Sequence, residues 1–171
     1  MSAKRTSELK HAQVFANWLK KTYGLEHRIE LNQDINSDID VFLMLKRGKG
    51  LETLNLQIKT PDQEPIQQGV KFKRTGELES IDYDPTAWIS EVIRSAEDYY
   101  PKDQRQKLIF LAAAHIPPLP GNINSERLVV SCSHSQFKGI YYTVLPHTID
   151  GEISHPGVCL EIKDAFKNMS R

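Results

Sequence analysis

Polar and apolar residues along the chain alternate with two periods. From Thr6 to Tyr23, Leu9, Ala12, Phe15, Ala16 and Leu19 recur every three or four positions, which predicts an amphipathic helix capped by Thr6 or Ser7 and stopped at Gly24. Glu8 then falls in its first turn, where a carboxylate suits the helix dipole. Three strands are predicted next. His27–Leu31 alternates, Ile39–Leu45 is a nearly continuous apolar run, and Thr53–Thr60 sets Leu54, Leu56 and Ile58 against Asn55, Gln57 and Lys59. Arg47-Gly48-Lys49-Gly50 reads as the turn joining the last two into an antiparallel hairpin, which Pro61 and Pro65 end.

Residues 61–83 are polar, with one short strand expected near Val70–Lys73. Asp84-Pro85 predicts a helix start, with Trp88, Val92, Ile93, Ala96 and Tyr99 as the buried stripe and Pro101 as the stop. That reading makes Trp88 and Tyr99 core residues. Further strands are expected over Lys107–Ala114, Arg127–Cys132, Ile140–Leu145 and Val158–Ile162, and a short terminal helix over Lys163–Met169. The order is helix, three strands, helix, strand, then a β-rich portion. We read one α/β domain over residues 1–171, with a core over about 6–114 and an extension over about 115–171.

Composition narrows the classes. The 22 Lys+Arg balance the 22 Asp+Glu, which argues against a protein that coats nucleic acid by bulk attraction. Zero hides a division, because residues 1–75 carry 13 basic and 9 acidic side chains, net +4, and the remainder is net −4. No run is long enough for a membrane span, and Met1-Ser2-Ala3-Lys4-Arg5 leads into a polar helix without an apolar signal region. With two cysteines, Cys132 and Cys159, a cytoplasmic location is expected, with no membrane partner. The six histidines show no metal-finger spacing, and Cys132-Ser133-His134 with distant Cys159 makes a poor zinc set.

One constellation can carry chemistry. Asp40 opens the apolar strand and Gln57-Ile58-Lys59 closes its hairpin partner, so the hairpin sets the two side by side. Gln57 and Lys59, two apart, leave the same face. A carboxylate, an amide oxygen, the Ile58 carbonyl and an ammonium can then converge. Oxygen donors suit Mg²⁺, and a lysine can orient an attacking water.

The strings Asp38-Ile39-Asp40-Val41 and Leu56-Gln57-Ile58-Lys59-Thr60, in this element order, resemble the Gln-x-Lys branch of the PD-(D/E)xK nuclease superfamily. Members act in restriction of modified DNA, in transposition and against phage. The resemblance implies a restriction-endonuclease-like fold, a central mixed β-sheet flanked by helices, and Mg²⁺- or Mn²⁺-dependent cleavage of DNA. It implies Asp40, Gln57 and the Ile58 carbonyl as metal ligands, Lys59 as the catalytic lysine, and Glu8 as the acidic residue of the first helix, acting from the metal's outer shell. It covers residues 6–114. The chain departs from the family in having Ile39 where a proline precedes the aspartate, and in the uncharged Gln57. Asp38 shares a face with Asp40 and competes with it as ligand, with Asp34 and Glu30 behind; the apolar strand directly after Asp40 favours Asp40. Asp150 with Glu161-Ile162-Lys163 fits the motif by letter, but only eight residues follow Lys163.

Lys46, Arg47, Lys49, Lys71, Lys73 and Arg74 are candidates for tracking DNA phosphates. The small size makes a homodimer or a partner subunit a source of specificity. Two other classes compete with the enzyme: a non-catalytic module that keeps the fold for binding or assembly, and an immunity or adaptor protein whose acidic helix region, Glu77 to Asp98, meets a basic partner.

Overall fold

The computed structural model describes residues 2–34, 36–59, 84–114, 123–149 and 152–166. The strand expected near Val70–Lys73 lies outside them. Helix α1 runs over Ala3–Tyr23 and ends at Gly24, whose φ of 69° is the left-handed cap that glycine adopts without strain. Its N-cap is Ser2, not Thr6 or Ser7: the Ser2 side chain accepts from Arg5 N–H. The helix therefore begins earlier, and Glu8 lies in its second turn.

Strands β1 (Glu26–Leu31), β2 (Val41–Arg47) and β3 (Gly50–Lys59) form an antiparallel meander. After helix α2 (Pro85–Tyr99) and the single turn α3 (Lys102–Arg105), β4 (Leu108–Ala114) pairs parallel with β3. Helix α4 (Ser125–Ser131) leads to β5 (Gly139–Val144), parallel to β4. A separate hairpin of β6 (His147–Ile149) and β7 (Glu152–His155) precedes β8 (Val158–Lys163), which pairs antiparallel with β5. The result is an α/β architecture with one six-stranded mixed, open sheet in the order β1-β2-β3-β4-β5-β8. Among the described residues no helix is long and apolar enough to cross a membrane.

Two cores cover the sheet. On one face, Phe15, Ala16 and Leu19 of α1 pack on Val41, Leu43, Leu54, Leu56, Leu111 and Tyr141. On the other, Ile89, Ile93, Ala96 and Tyr100 of α2 pack with Leu128 on Phe110, Ala112, Phe137 and Tyr142. Helices on both faces bury every residue of β4, which is why that strand reads as an unbroken apolar run.

Three expectations change. The stripe of α2 is rotated by one position: Ile89, Ile93, Ala96 and Tyr100 are buried, Trp88 and Val92 are half-buried, and Tyr99 is 70% exposed. Both stripes satisfy helical spacing, so periodicity alone does not choose between them. The segment Arg127–Cys132, expected as a strand, is helical, because Asn124 caps Arg127 N–H and only Leu128 and Cys132, four apart, need burial. The terminal helix expected from Lys163 is absent over the described part of that span: Lys163 ends β8, where its Nζ donates to the Ser135 and Phe137 carbonyls at 2.5 and 2.6 Å. Residues 167–169 lie outside the described span.

Candidate functional site

The β2–β3 ladder stops one residue before β2 begins. Asp40 N–H donates to the Leu56 carbonyl at 2.9 Å, and there the chain turns away toward the loop of residues 32–39. Strand β3 continues, so the next backbone groups facing that side, those of Ile58, have no β2 partner. In a strand, a residue's N–H and C=O point to the same side and alternate along the chain. The Asp40 side chain fills the gap: its Oδ2 accepts from Ile58 N–H at 2.7 Å. The Ile58 carbonyl faces the same edge, while its side chain is buried against α1.

This bond holds a carboxylate at the centre of Gln57-Ile58-Lys59. The paired register ends with Val41 opposite Leu56, and Asp40, bonded to the Leu56 carbonyl and the Ile58 N–H, holds the backbone on either side of Gln57. Gln57 is 6% exposed, and its Oε1 is buried with no hydrogen-bond partner among the described residues. Lys59 is exposed, with Nζ 5.8 Å from the centre of the Tyr99 ring.

Glu8 approaches Asp40 from α1. It is 4% exposed, its Oε1 makes no hydrogen bond, and its cation is Lys4, one helical turn back, at 3.6 Å. Glu8 and Asp40 line one cleft of about 160 Å³ with Lys4, Arg5, Asn32 and Ser37. Burial raises the Glu8 carboxyl above the ordinary carboxylate range and the Asp40 charge adds to this, while Lys4 and Arg5 oppose it. Burial likewise raises Asp40, against the Ile58 N–H and the charges of Lys4, Lys59 and Arg5. The carboxylates of Glu8, Asp34 and Asp40 and the cations of Lys4 and Arg5 thus line one partly dry cleft, and Lys59 is close enough to act on Asp40 electrostatically.

The competing carboxylates are placed differently. Asp38 lines an adjoining groove with Asn55, Gln104 and Lys107, which shares Asp34, Ser37 and Ile39 with the cleft. Asp34 reaches the rim of the cleft but accepts from Asn36 N–H, and Glu30 pairs with Arg28 at 2.7 Å. Asp150 lies outside the described residues, and Lys163 is occupied by backbone carbonyls.

The basic tip of the hairpin is remote. Asp40 and Lys59 mark the open end of the hairpin, Arg47 and Gly50 its closed end, roughly 23 Å away at about 3.3 Å per residue. There Lys46 meets Glu26 at 3.7 Å, Arg47 meets Glu52 at 3.0 Å, and Lys49 sits exposed in the turn. Lys71, Lys73 and Arg74 lie outside the described residues. Among the described residues the cations acting on Asp40 are instead Lys4, Lys59 and Arg5, of which sequence reasoning passed over Lys4 and Arg5. Their signal was their place four and three residues before Glu8, on its side of the helix.

The donors fit a small hard cation better than a thiolate- or imidazole-binding metal. Among the described residues no three His, Cys, Asp or Glu side chains are grouped to hold an ion. Mg²⁺ commonly takes one or two carboxylates, fills its shell with water and accepts carbonyl oxygens. The Gln57 Oε1, a buried oxygen with no donor among the described residues, is costly unless something satisfies it. No family model, curated protein or solved structure matches this chain.

Proposed function

We propose that the chain is a divalent-metal-dependent phosphodiesterase acting on DNA, built on a restriction-endonuclease-like form of its mixed sheet. The observation that carries this reading is the Asp40–Ile58 bond, which fixes a carboxylate on the backbone of Gln57-Ile58-Lys59, between a buried glutamine and a lysine whose charge reaches it. Asp40, Gln57 Oε1 and the Ile58 carbonyl would hold Mg²⁺ or Mn²⁺. A cation bound there supplies Lewis-acid chemistry next to the scissile phosphate.

The chain's own groups divide the remaining work. Lys4 and Arg5 draw the phosphate toward a cleft that its carboxylates would otherwise make repulsive. Lys59 orients the attacking water and offsets charge that develops on the phosphoryl oxygens. Glu8, raised by burial and by Asp40, is a proton-accepting group at the wall of the cleft.

The test is nicking of supercoiled plasmid with Mg²⁺ or Mn²⁺. Asp40→Asn and Lys59→Ala are each expected to lower the rate by about 10²-fold or more, the scale of losing one transition-state donor. Wild-type rates in both variants would sink the proposal and favour a non-catalytic binding module.

A further inference from the structure

Tyr99 departs from the helix that carries it. Helix α2 buries Ile93, Ala96 and Tyr100, yet Tyr99 in its last turn is 70% exposed. A lone exposed aromatic needs no explanation, but this one has particular neighbours. Lys59 Nζ lies 5.8 Å from the ring centre. The buried Tyr100 meets the ring at 4.8 Å with the planes 85° apart, and Tyr100 in turn feels the charges of Asp38 and Asp40. The exposed ring therefore stands at the Asp40 end of the sheet, on the face from which Gln57 and Lys59 project.

We propose that Tyr99 stacks an unpaired nucleobase while Lys59 holds the adjoining phosphate, so that the substrate is single-stranded or locally unpaired nucleic acid. This rests on the reading of the Asp40–Lys59 end as a phosphodiester site. An ammonium over an exposed ring is held weakly, and a phosphate is the stronger partner for it. Once Lys59 turns to a phosphate, the ring offers its surface to a base. Bases in a duplex are stacked on both faces and have none to give, whereas a single strand stacks readily on aromatic side chains. The charge pattern agrees. The nearby cations are Lys4, Arg5 and Lys59, enough to follow a few phosphates of one strand, and the chain as a whole is neutral.

The experiment is fluorescence anisotropy with a short labelled DNA single strand and the blunt duplex of the same sequence, with Ca²⁺ as the divalent cation. Tyr99→Ala is expected to weaken single-strand binding by about 5- to 150-fold while changing duplex binding by less than about twofold, and Tyr99→Phe should bind as wild type does. The single-strand affinity should fall with salt with a log–log slope of about −2, the value for roughly three phosphate contacts. An equal loss on both probes, no loss on either, or a wild type with no preference for the single strand overturns the inference. The failures are separable. Plasmid nicking abolished by Asp40→Asn stands even if Tyr99 proves irrelevant, and a strand preference that depends on Tyr99 can survive in a protein without cleavage.

Discussion

Asp40 Oδ2 lies 2.7 Å from the amide nitrogen of Ile58, in the place a continued β2 strand would have supplied a carbonyl. One carboxylate thus completes the edge of β3 and stands where a metal ligand is needed. The two duties can be separated. Asp40→Ala leaves the Ile58 N–H unpaired and should cost about 1–3 kcal/mol, read as a lower urea midpoint. Asp40→Asn keeps an oxygen acceptor and should stay near wild-type stability. Both should lose metal-dependent nicking.

Burial disfavours the Glu8 charge and the nearby Asp40 charge adds to this, so the protein without metal should gain stability from Glu8→Gln at neutral pH. A gain of about 1 kcal/mol would raise the melting temperature by roughly 2–4 °C in a domain of this length. The sign follows from linkage. The folded carboxyl is raised, so the native state holds the proton more tightly than the unfolded one, and stability falls as pH rises from the ordinary carboxylate value through the raised one. The advantage of Glu8→Gln should therefore be full above that window and vanish below it. Calorimetric melts from acid to neutral pH would show a constant difference if folding leaves the proton affinity of Glu8 unchanged.

Gln57→Glu should act in opposite directions on the two states. Without a cation it adds a charge at a buried position and should lower the melting temperature. With Mn²⁺ it supplies a charged ligand, and the stabilisation at saturating Mn²⁺ should exceed that of wild type; about 100 times Kd gives about 2.7 kcal/mol. Equal Mn²⁺ shifts in the two proteins would remove Gln57 from the ligand set.

Lys163 tests the alternative motif. Its ammonium donates to the Ser135 and Phe137 carbonyls, joining β8 to the segment before β5. Lys163→Met should destabilise by about 1.5–3 kcal/mol, the range for hydrogen bonds to a charged group, while nicking per folded molecule is unchanged. A specific loss of cleavage in a stably folded variant would instead favour Glu161-Ile162-Lys163 as the working motif.

Much of this architecture was legible in local pattern. The Gly24 stop of α1, the Asp84-Pro85 start of α2, the turn at residues 47–50 and the apolar run of β4 all lie within one or two residues of the observed elements, whereas α1 begins at Ala3, at least three residues before its expected start. Short amphiphilic segments were less legible. Arg127–Cys132 contains Val129 and Val130, which favour strands, but both are exposed, and the Asn124 cap with the Leu128–Cys132 spacing sets the helix. For α2, Trp88 and Tyr99 were as plausible a buried stripe as Ile89 and Tyr100, because spacing specifies a face only to within a rotation.

For the candidate site, the residue types and their strand parity were written in the chain: Asp40 at a strand start, Gln57 and Lys59 on one face, Glu8 on the first helix. Parity is a local property of an extended backbone, so it needs no partner to be read. The meeting of these residues is not local. It depends on β2 beginning only at Val41, one residue after Asp40, while β3 runs on past that point, and on α1 crossing the sheet so that Glu8, Lys4 and Arg5 reach the same cleft. The same long-range geometry carries the basic hairpin tip to the far end of the sheet and leaves Tyr99 exposed beside Lys59. Packing of two cores against one sheet sets those distances, and no periodicity along a single segment encodes them.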